Sequence, residues 1–304
     1  MSKIVIGLVD SEQGHDALAL GAQLAQKLSA DPIVVCALPY PVKALGSEPL
    51  EAALEEDTRD LFALAREQLD GLEPEVRAAA DRSPARSLYG VAEAEDAVAI
   101  IVGSTHRGAL GHVLPGSVGT NLLSGAPCAV AVAPRGYARR DDRRMLRIGI
   151  AFDGSAESWA ALETGIGLAR RLRAGLVLIA AIAPPGYGYG EALSVLSVEQ
   201  VHTARQAETR RVLELGLARV PADVTADPRL INGEPGAALA EAAADVGLLV
   251  VGSRRYGPLR RTLLGSVSTA VIRKAPCPVL VLPRGAGVDP LRLDAAGVRS
   301  RARA

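Results

Sequence analysis

The chain has 304 residues, with 34 Lys plus Arg against 34 Asp plus Glu, and its formal net charge of zero argues against a general polyanion or nucleic-acid binder. Hydrophobic residues make up 49% and aromatics only 3%, so any core must be filled mostly by Ala, Val, Leu and Ile. No apolar run approaches the roughly 20 residues that cross a bilayer. The opening MSKIVIGLVD reads as a strand rather than a signal peptide. Cys36, Cys128 and Cys277 lie in short apolar runs and form neither a disulfide framework nor a zinc motif. A reducing cytoplasm, with no membrane partner, is the resulting expectation.

Taken in chain order, IVIGLV is a buried strand and DALALGAQLAQKLSA an amphipathic helix, its apolar residues recurring three and four apart. PIVVCAL is a second strand. A charged helix follows from about Leu50 to Leu72, then the weaker strand EVRAAA and a poorly marked helix around Ser87 to Glu95. AIIVGS is a fourth strand, a helix follows Gly116, and AVAVAP is a fifth strand. The order repeats with LRIGIAFD, LVLIAAI, VTADPRLI, LLVVGS and PVLVLP. Continuous apolar strands alternating with helices imply a mostly parallel sheet covered on both faces. The fold class expected is α/β: two tandem open-sheet α/β sandwich domains, each with a mostly parallel five-stranded sheet.

The repeat is explicit in the residues. IVGSTHRGALGHVLPGSVGTNLLSGAPCAVAVAPRG, from Ile101, matches VVGSRRYGPLRRTLLGSVSTAVIRKAPCPVLVLPRG, from Val250, without a gap. Gly103 pairs with Gly252, Gly116 with Gly265 and Cys128 with Cys277, all offset by 149. At the start of each half, Asp10 is set against Asp153, an offset of 143, so the second half is longer in its middle by six residues. That extra length is expected in the Pro- and Gly-rich segment from Pro184 to Ala192. The domains expected are residues 1–136 and 147–284, joined by a charged, solvated linker at 137–146. The Gly-, Ala- and Arg-rich tail, 285–304, is expected to be mostly disordered.

In an open parallel sheet, ligands bind beyond the carboxyl ends of the strands, where the strand order reverses. Asp10 and Asp153 follow the first strand of each half, Gly103 and Gly252 close the fourth, and Gly116-Ser117 and Gly265-Ser266 open the last helix. A helix N-terminus offers unpaired amides and a partial positive charge to phosphate oxygens. A carboxylate at a strand end accepts from an exocyclic amine or a ribose hydroxyl. Each of these features also has an ordinary use as a helix cap; their recurrence at matching positions in both halves favours a site.

The pattern resembles the universal stress protein family, whose nucleotide-binding members carry Gly-x2-Gly-x9-Gly-[Ser/Thr] between the fourth strand and last helix and an Asp after the first strand. The resemblance covers nearly the whole chain except linker and tail, and is most specific from GSRRYGPLRRTLLGSVS through APCPVLVLP. It implies that Asp153 contacts adenine together with the backbone of Ala181, and that Gly252 lies against the ribose and first phosphate. Gly265, Ser266, Val267 and Ser268 would hold the outer phosphates. In the first half the matching residues are Asp10, Ala37, Gly103, Gly116, Ser117 and Val118. The cofactor implied is ATP, with Mg2+ as its companion.

The second motif glycine is replaced by His106 in one half and Arg255 in the other, with Gly108 and Gly257 two residues on. These side chains either fill the phosphate cleft or, for Arg255, supply a charge-assisted donor to a phosphate. Arg254, Arg255, Arg260 and Arg261 form a basic loop there, read as a phosphate clamp, and Pro115 stiffens the first-half loop. No phosphate loop of the Gly-x4-Gly-Lys type, no Gly-x-Ser-x-Gly elbow and no His-x-x-x-His pair occurs, so no catalytic or metal residue is nominated and slow ATP hydrolysis is the most that is expected. The function expected is an adenine-nucleotide-binding stress-response regulator. The alternative is a ligand-free interaction scaffold that dimerises through its last strands. Because an unpaired apolar edge is a liability, AVAVAP and PVLVLP are expected to pair with each other as an internal pseudo-dimer, and two chains to associate further as a homodimer.

Overall fold

The computed structural model describes residues 2–39, 48–81, 83–104, 126–140, 145–184, 198–253, 266–283 and 291–292. The first copy runs β1 (Lys3–Leu8), α1 (Glu12–Leu28), β2 (Asp31–Pro39), α2 (Glu48–Gln68), β3 (Glu75–Asp81), α3 (Pro84–Ala94), β4 (Ala99–Gly103) and β5 (Ala129–Ala133). The second runs β6 (Arg147–Ala151), α4 (Ala156–Leu172), β7 (Gly175–Ile182), α5 (Val198–Arg219), β8 (Ala226–Asn232), α6 (Pro235–Ala242), β9 (Leu248–Gly252), α7 (Ser266–Lys274) and β10 (Val279–Leu282). The helix expected after Gly116 and most of the Pro184–Ala192 segment lie outside the described residues. Among the described residues no helix is long and apolar enough to cross a membrane.

Local chemistry explains the two best-defined helices. Ser11 and Ser155 cap α1 and α4, each side-chain oxygen accepting from the amide three residues on (Gly14 and Ser158). Both helices close on a left-handed residue, Ser29 (φ 52°) and Arg173 (φ 53°).

Within each copy the five strands are parallel, in the order β3-β2-β1-β4-β5 and, mirrored, β8-β7-β6-β9-β10. The order reverses between β1 and β4, and between β6 and β9. The last strands of the two copies pair antiparallel, Val279 with Val132, Leu280 with Ala131 and Val281 with Val130. One ten-stranded sheet results. The edge argument anticipates this pairing, because an exposed VLVL strand would otherwise present unpaired amides and apolar side chains. Strand residues alternate between two cores: Ile4, Ile6, Val34 and Ile101 face α1, while Val5, Ile33, Val35 and Ile100 face α3.

Strand register corrects the alignment of the copies. Ile4 pairs with Ala99 and Ile148 with Leu248, one residue away from the offset read off the two aspartates. Val9, not Asp10, therefore stands where Asp153 stands in the second copy. Asp10 takes the place of Gly154, a residue with φ 79°.

The linker is not simply solvated at its described end. Asp16, 2% exposed, accepts from the amides of Gly136 and Ala138, both at 2.8 Å. Tyr137 is buried and donates to Gln23, Arg139 pairs with Glu12, and Arg140 donates to the Pro276 carbonyl (2.6 Å). Two tail residues are docked as well, against the expectation of disorder there. Leu291 is 3% exposed in an apolar slot lined by Ile4, Leu24 and Ala99 of one copy and by Leu168, Leu248 and Leu280 of the other. Arg292 donates to Asp96 at 2.5 Å.

Three outcomes follow from this packing. Asp16→Ala strands two inward-facing amides and should lower the unfolding free energy by roughly 2–4 kcal/mol in a urea titration, with Asp16→Asn milder. Burial pushes the thiols of Cys36, Cys128 and Cys277 up to about 12, so at pH 8 a thiolate-selective reagent should label none of the three until the chain is unfolded. Glu95 accepts from Lys3 (2.5 Å) and Arg77 (2.6 Å), which hold its carboxyl below the usual carboxylate range, Lys3 being the larger cause. A depressed folded pKa gives stability that is present above the unfolded value and lost on acidification. Melting temperature should therefore fall as pH drops below about 5, and Glu95→Gln should make that acid limb shallower.

Candidate functional site

The reversal between β6 and β9 places the carboxyl ends of two parallel strands side by side, with a helix leaving each in opposite directions, so a crevice opens between them. A cleft of about 210 Å³ lies there. Asp153 and Ala181 stand on its β6–β7 side, and Gly252, Val267 and Ser268 on its β9–α7 side. These are five of the residues nominated from the sequence. Ser266 opens α7. Arg255 and Gly265 lie outside the described residues, as do Arg254, Arg260 and Arg261.

The carboxylate of Asp153 is oriented locally. Its Oδ1 accepts from the backbone amide of Ser155 (3.0 Å) and from the Ser155 hydroxyl (2.5 Å). The same Ser155 Oγ caps α4 by accepting from the Ser158 amide (3.3 Å). The strand-end aspartate thus both supports the helix start and faces the crevice, combining the capping and binding uses of such a residue.

Gly252 makes the floor. A Cβ there would lie 2.6 Å from Glu157 Cβ and 2.7 Å from the Glu157 carbonyl oxygen, closer than real side chains approach. Its carbonyl accepts from Ser268 Oγ at 3.1 Å, tying the floor to the first turn of α7. Gly103 makes the same approach to the Gln13 backbone in the first copy, a contact of 2.0 Å for an added Cβ.

Several lining residues were not nominated from the sequence: Phe152, Ser155, Glu157, Ser158, Pro235 and Leu239. Phe152 is held by Trp159, ring centroids 4.9 Å apart and nearly perpendicular. Glu157 had a legible signal, since it lies one helical turn after Asp153 and so faces the same side of the α4 start. Pro235 and Leu239 had none, because only the packing of α6 beside α7 brings them to the cleft.

The first copy differs at the corresponding turn. There the Val9 carbonyl accepts from the Ser11 amide (2.8 Å), the role Asp153 Oδ1 plays in the second. That carbonyl lies 2.0 Å from where a Cβ of Gly14 would be, so it occupies the space given to the Ser158 side chain in the other copy. In register, Asp153, Glu157 and Ser158 become Val9, Gln13 and Gly14. Ala37 and Gly103 end β2 and β4 as expected, whereas Asp10 lies one residue beyond the strand-end position. Gly116, Ser117, Val118 and His106 lie outside the described residues. A larger open groove of about 750 Å³ sits between α1 and α4, but at the amino ends of the strands, away from the switch point, so its size does not make it the better candidate.

The fold and the cleft define a duplicated open-sheet α/β protein with a glycine-floored crevice at the strand-order switch of its second copy. The profile of the Universal stress protein family matches residues 1–134 and 145–283. A universal stress protein of Mycobacterium tuberculosis is 30% identical over 301 residues, covering 92% of this chain and 99% of its own. The chain belongs to the universal stress protein family. Two solved structures share the fold across the whole tandem. A universal stress protein from Archaeoglobus fulgidus has TM-score 0.68 at 19% identity, covering 93% of this chain and 98% of its own. One from Pseudomonas aeruginosa has TM-score 0.63 at 17% identity, covering 97% and 96%.

The floor contact gives a direct check. Gly252→Ala must push α4 and β9 apart at their ends, with an expected loss of about 1–3 kcal/mol. Gly252→Ala should therefore show both a lower melting temperature and an altered Trp159 fluorescence, since Trp159 packs on Phe152 at the cleft.

Proposed function

We propose that the second copy binds an adenine nucleotide, ATP being the expected species, and that the chain acts as a nucleotide-responsive regulator rather than a rapid enzyme. The observation that supports this most is the convergence of Asp153, Ala181, Gly252, Val267 and Ser268 on one crevice at the switch point. Asp153 would accept from the base, Gly252 would let the sugar approach the backbone, and the first turn of α7 would face phosphate oxygens. The volume of about 210 Å³ is below the roughly 300–1,000 Å³ of clefts that enclose a whole drug-sized ligand. It suits a base and sugar, with the phosphates directed past Ser268.

Among the described residues, no group of three or more His, Cys, Asp or Glu side chains is placed to hold a metal. Mg2+ would arrive on the phosphates, as it usually does with one or two protein ligands at most. The scaffold reading is less favoured, because β5 and β10, the edges it would use between chains, are already paired within this one.

Calorimetric titration of the full chain with ATP up to millimolar concentration tests the proposal. Saturable binding near one equivalent is expected, weakened about tenfold or more by Asp153→Ala through loss of a charged hydrogen-bond acceptor. Asp10→Ala should bind as the native chain does. No heat from ATP, or equal loss from both substitutions, would refute the assignment.

A further inference from the structure

We propose that Glu157 selects the sugar of the bound nucleotide, favouring a free 2′,3′-diol and disfavouring a 3′,5′-cyclic phosphate; this rests on the nucleotide reading of the same cleft. The argument begins with position. Glu157 lies in the first turn of α4 and lines the cleft. Its Cβ and carbonyl press on Gly252, so its side chain leaves the helix directly above the glycine floor. That floor lies between the Asp153–Ala181 side and the Val267–Ser268 side, where a sugar must sit if base and phosphates take those two ends.

The chemistry of the wall agrees. The described polar side chains of the cleft are two carboxylates, Asp153 and Glu157, and the hydroxyls of Ser155, Ser158 and Ser268; none of the described lining residues is a cation. A carboxylate offers acceptors only. A ribose diol presents two O–H donors to it, while a 2′-deoxy sugar presents one. A 3′,5′-cyclic nucleotide has lost its 3′-hydroxyl to the phosphodiester and brings an anion beside the carboxylate, where like charges repel more strongly than in open water. The first copy carries the neutral isostere Gln13 against Gly103, so the charge is a feature of one copy and not of the repeat as such.

The test uses the full chain and three probes, ATP, 2′-deoxy-ATP and 3′,5′-cyclic AMP, each titrated into the native protein, Glu157→Gln and Glu157→Ala. Loss of one hydrogen bond to a charged group corresponds to roughly ten- to hundredfold in affinity, so the native chain should prefer ATP over 2′-deoxy-ATP by about that factor. Cyclic AMP should bind weakest. Glu157→Gln should relieve the cyclic AMP penalty while keeping part of the diol preference, and Glu157→Ala should bring all three within a few fold. If the native chain binds ATP but takes 2′-deoxy-ATP within twofold, or if Glu157→Ala keeps the native preferences, the selector role is wrong and the nucleotide reading stands. If none of the three probes binds the native chain, both fail. The native comparison needs no variant, so a misfolded substitution does not shield the proposal.

Discussion

The antiparallel pairing of β5 with β10 is the constraint on which the rest of the architecture depends. Each copy ends its chain path on an apolar strand at the open edge of a parallel sheet, a surface that cannot stay unpaired in water. Joining the two edges satisfies both rows of backbone groups at once and turns two five-stranded sheets into one of ten. It also sets α1 and α4 over the same seam, and thereby the slot that Leu291 fills with side chains from both copies. The remaining edges, β3 and β8, carry protective chemistry: Pro228 interrupts β8, and Arg77 of β3 is engaged with Glu75 and Glu95.

Once joined, the copies are free to diverge at their strand-end crevices, because the seam and not the crevice holds them together. The second copy keeps an acidic, hydroxyl-rich turn with a carboxylate at the strand end. The first replaces that carboxylate with the Val9 backbone carbonyl and draws the turn in against Gly14. The shared feature is the glycine floor, since Gly103 and Gly252 both sit under the first turn of a helix with no room for a side chain. A common scaffold with unequal crevices is what a duplicated regulator needs if one copy senses and the other supports.

The segments between and after the copies take part in that support. Asp16 grips the backbone just past β5, Arg140 reaches Pro276 just before β10, and Arg292 reaches Asp96 of the first copy. Charged composition suggested solvated connectors. The structure shows that charge can instead be spent on specific backbone caps, as Asp16 shows with two buried amides.

The sequence by itself determined the duplication, the alternation of strands and helices, the parallel sheets and the glycines that had to close β4 and β9. These are local or repeated signals: apolar runs of strand length, three-and-four periodicity, and motifs recurring at constant spacing. It also singled out five residues of the second-copy cleft. Tertiary structure alone decided which residue of the first copy faces Asp153, because Val9-Asp10 and Phe152-Asp153 read alike as text and only the hydrogen-bond register of β1 on β4 and β6 on β9 distinguishes them. It likewise decided the places of Glu157, Pro235, Leu239 and Leu291, whose surroundings come from residues far along the chain. Such contacts arise when helices pack over a sheet, and no spacing in the sequence encodes them.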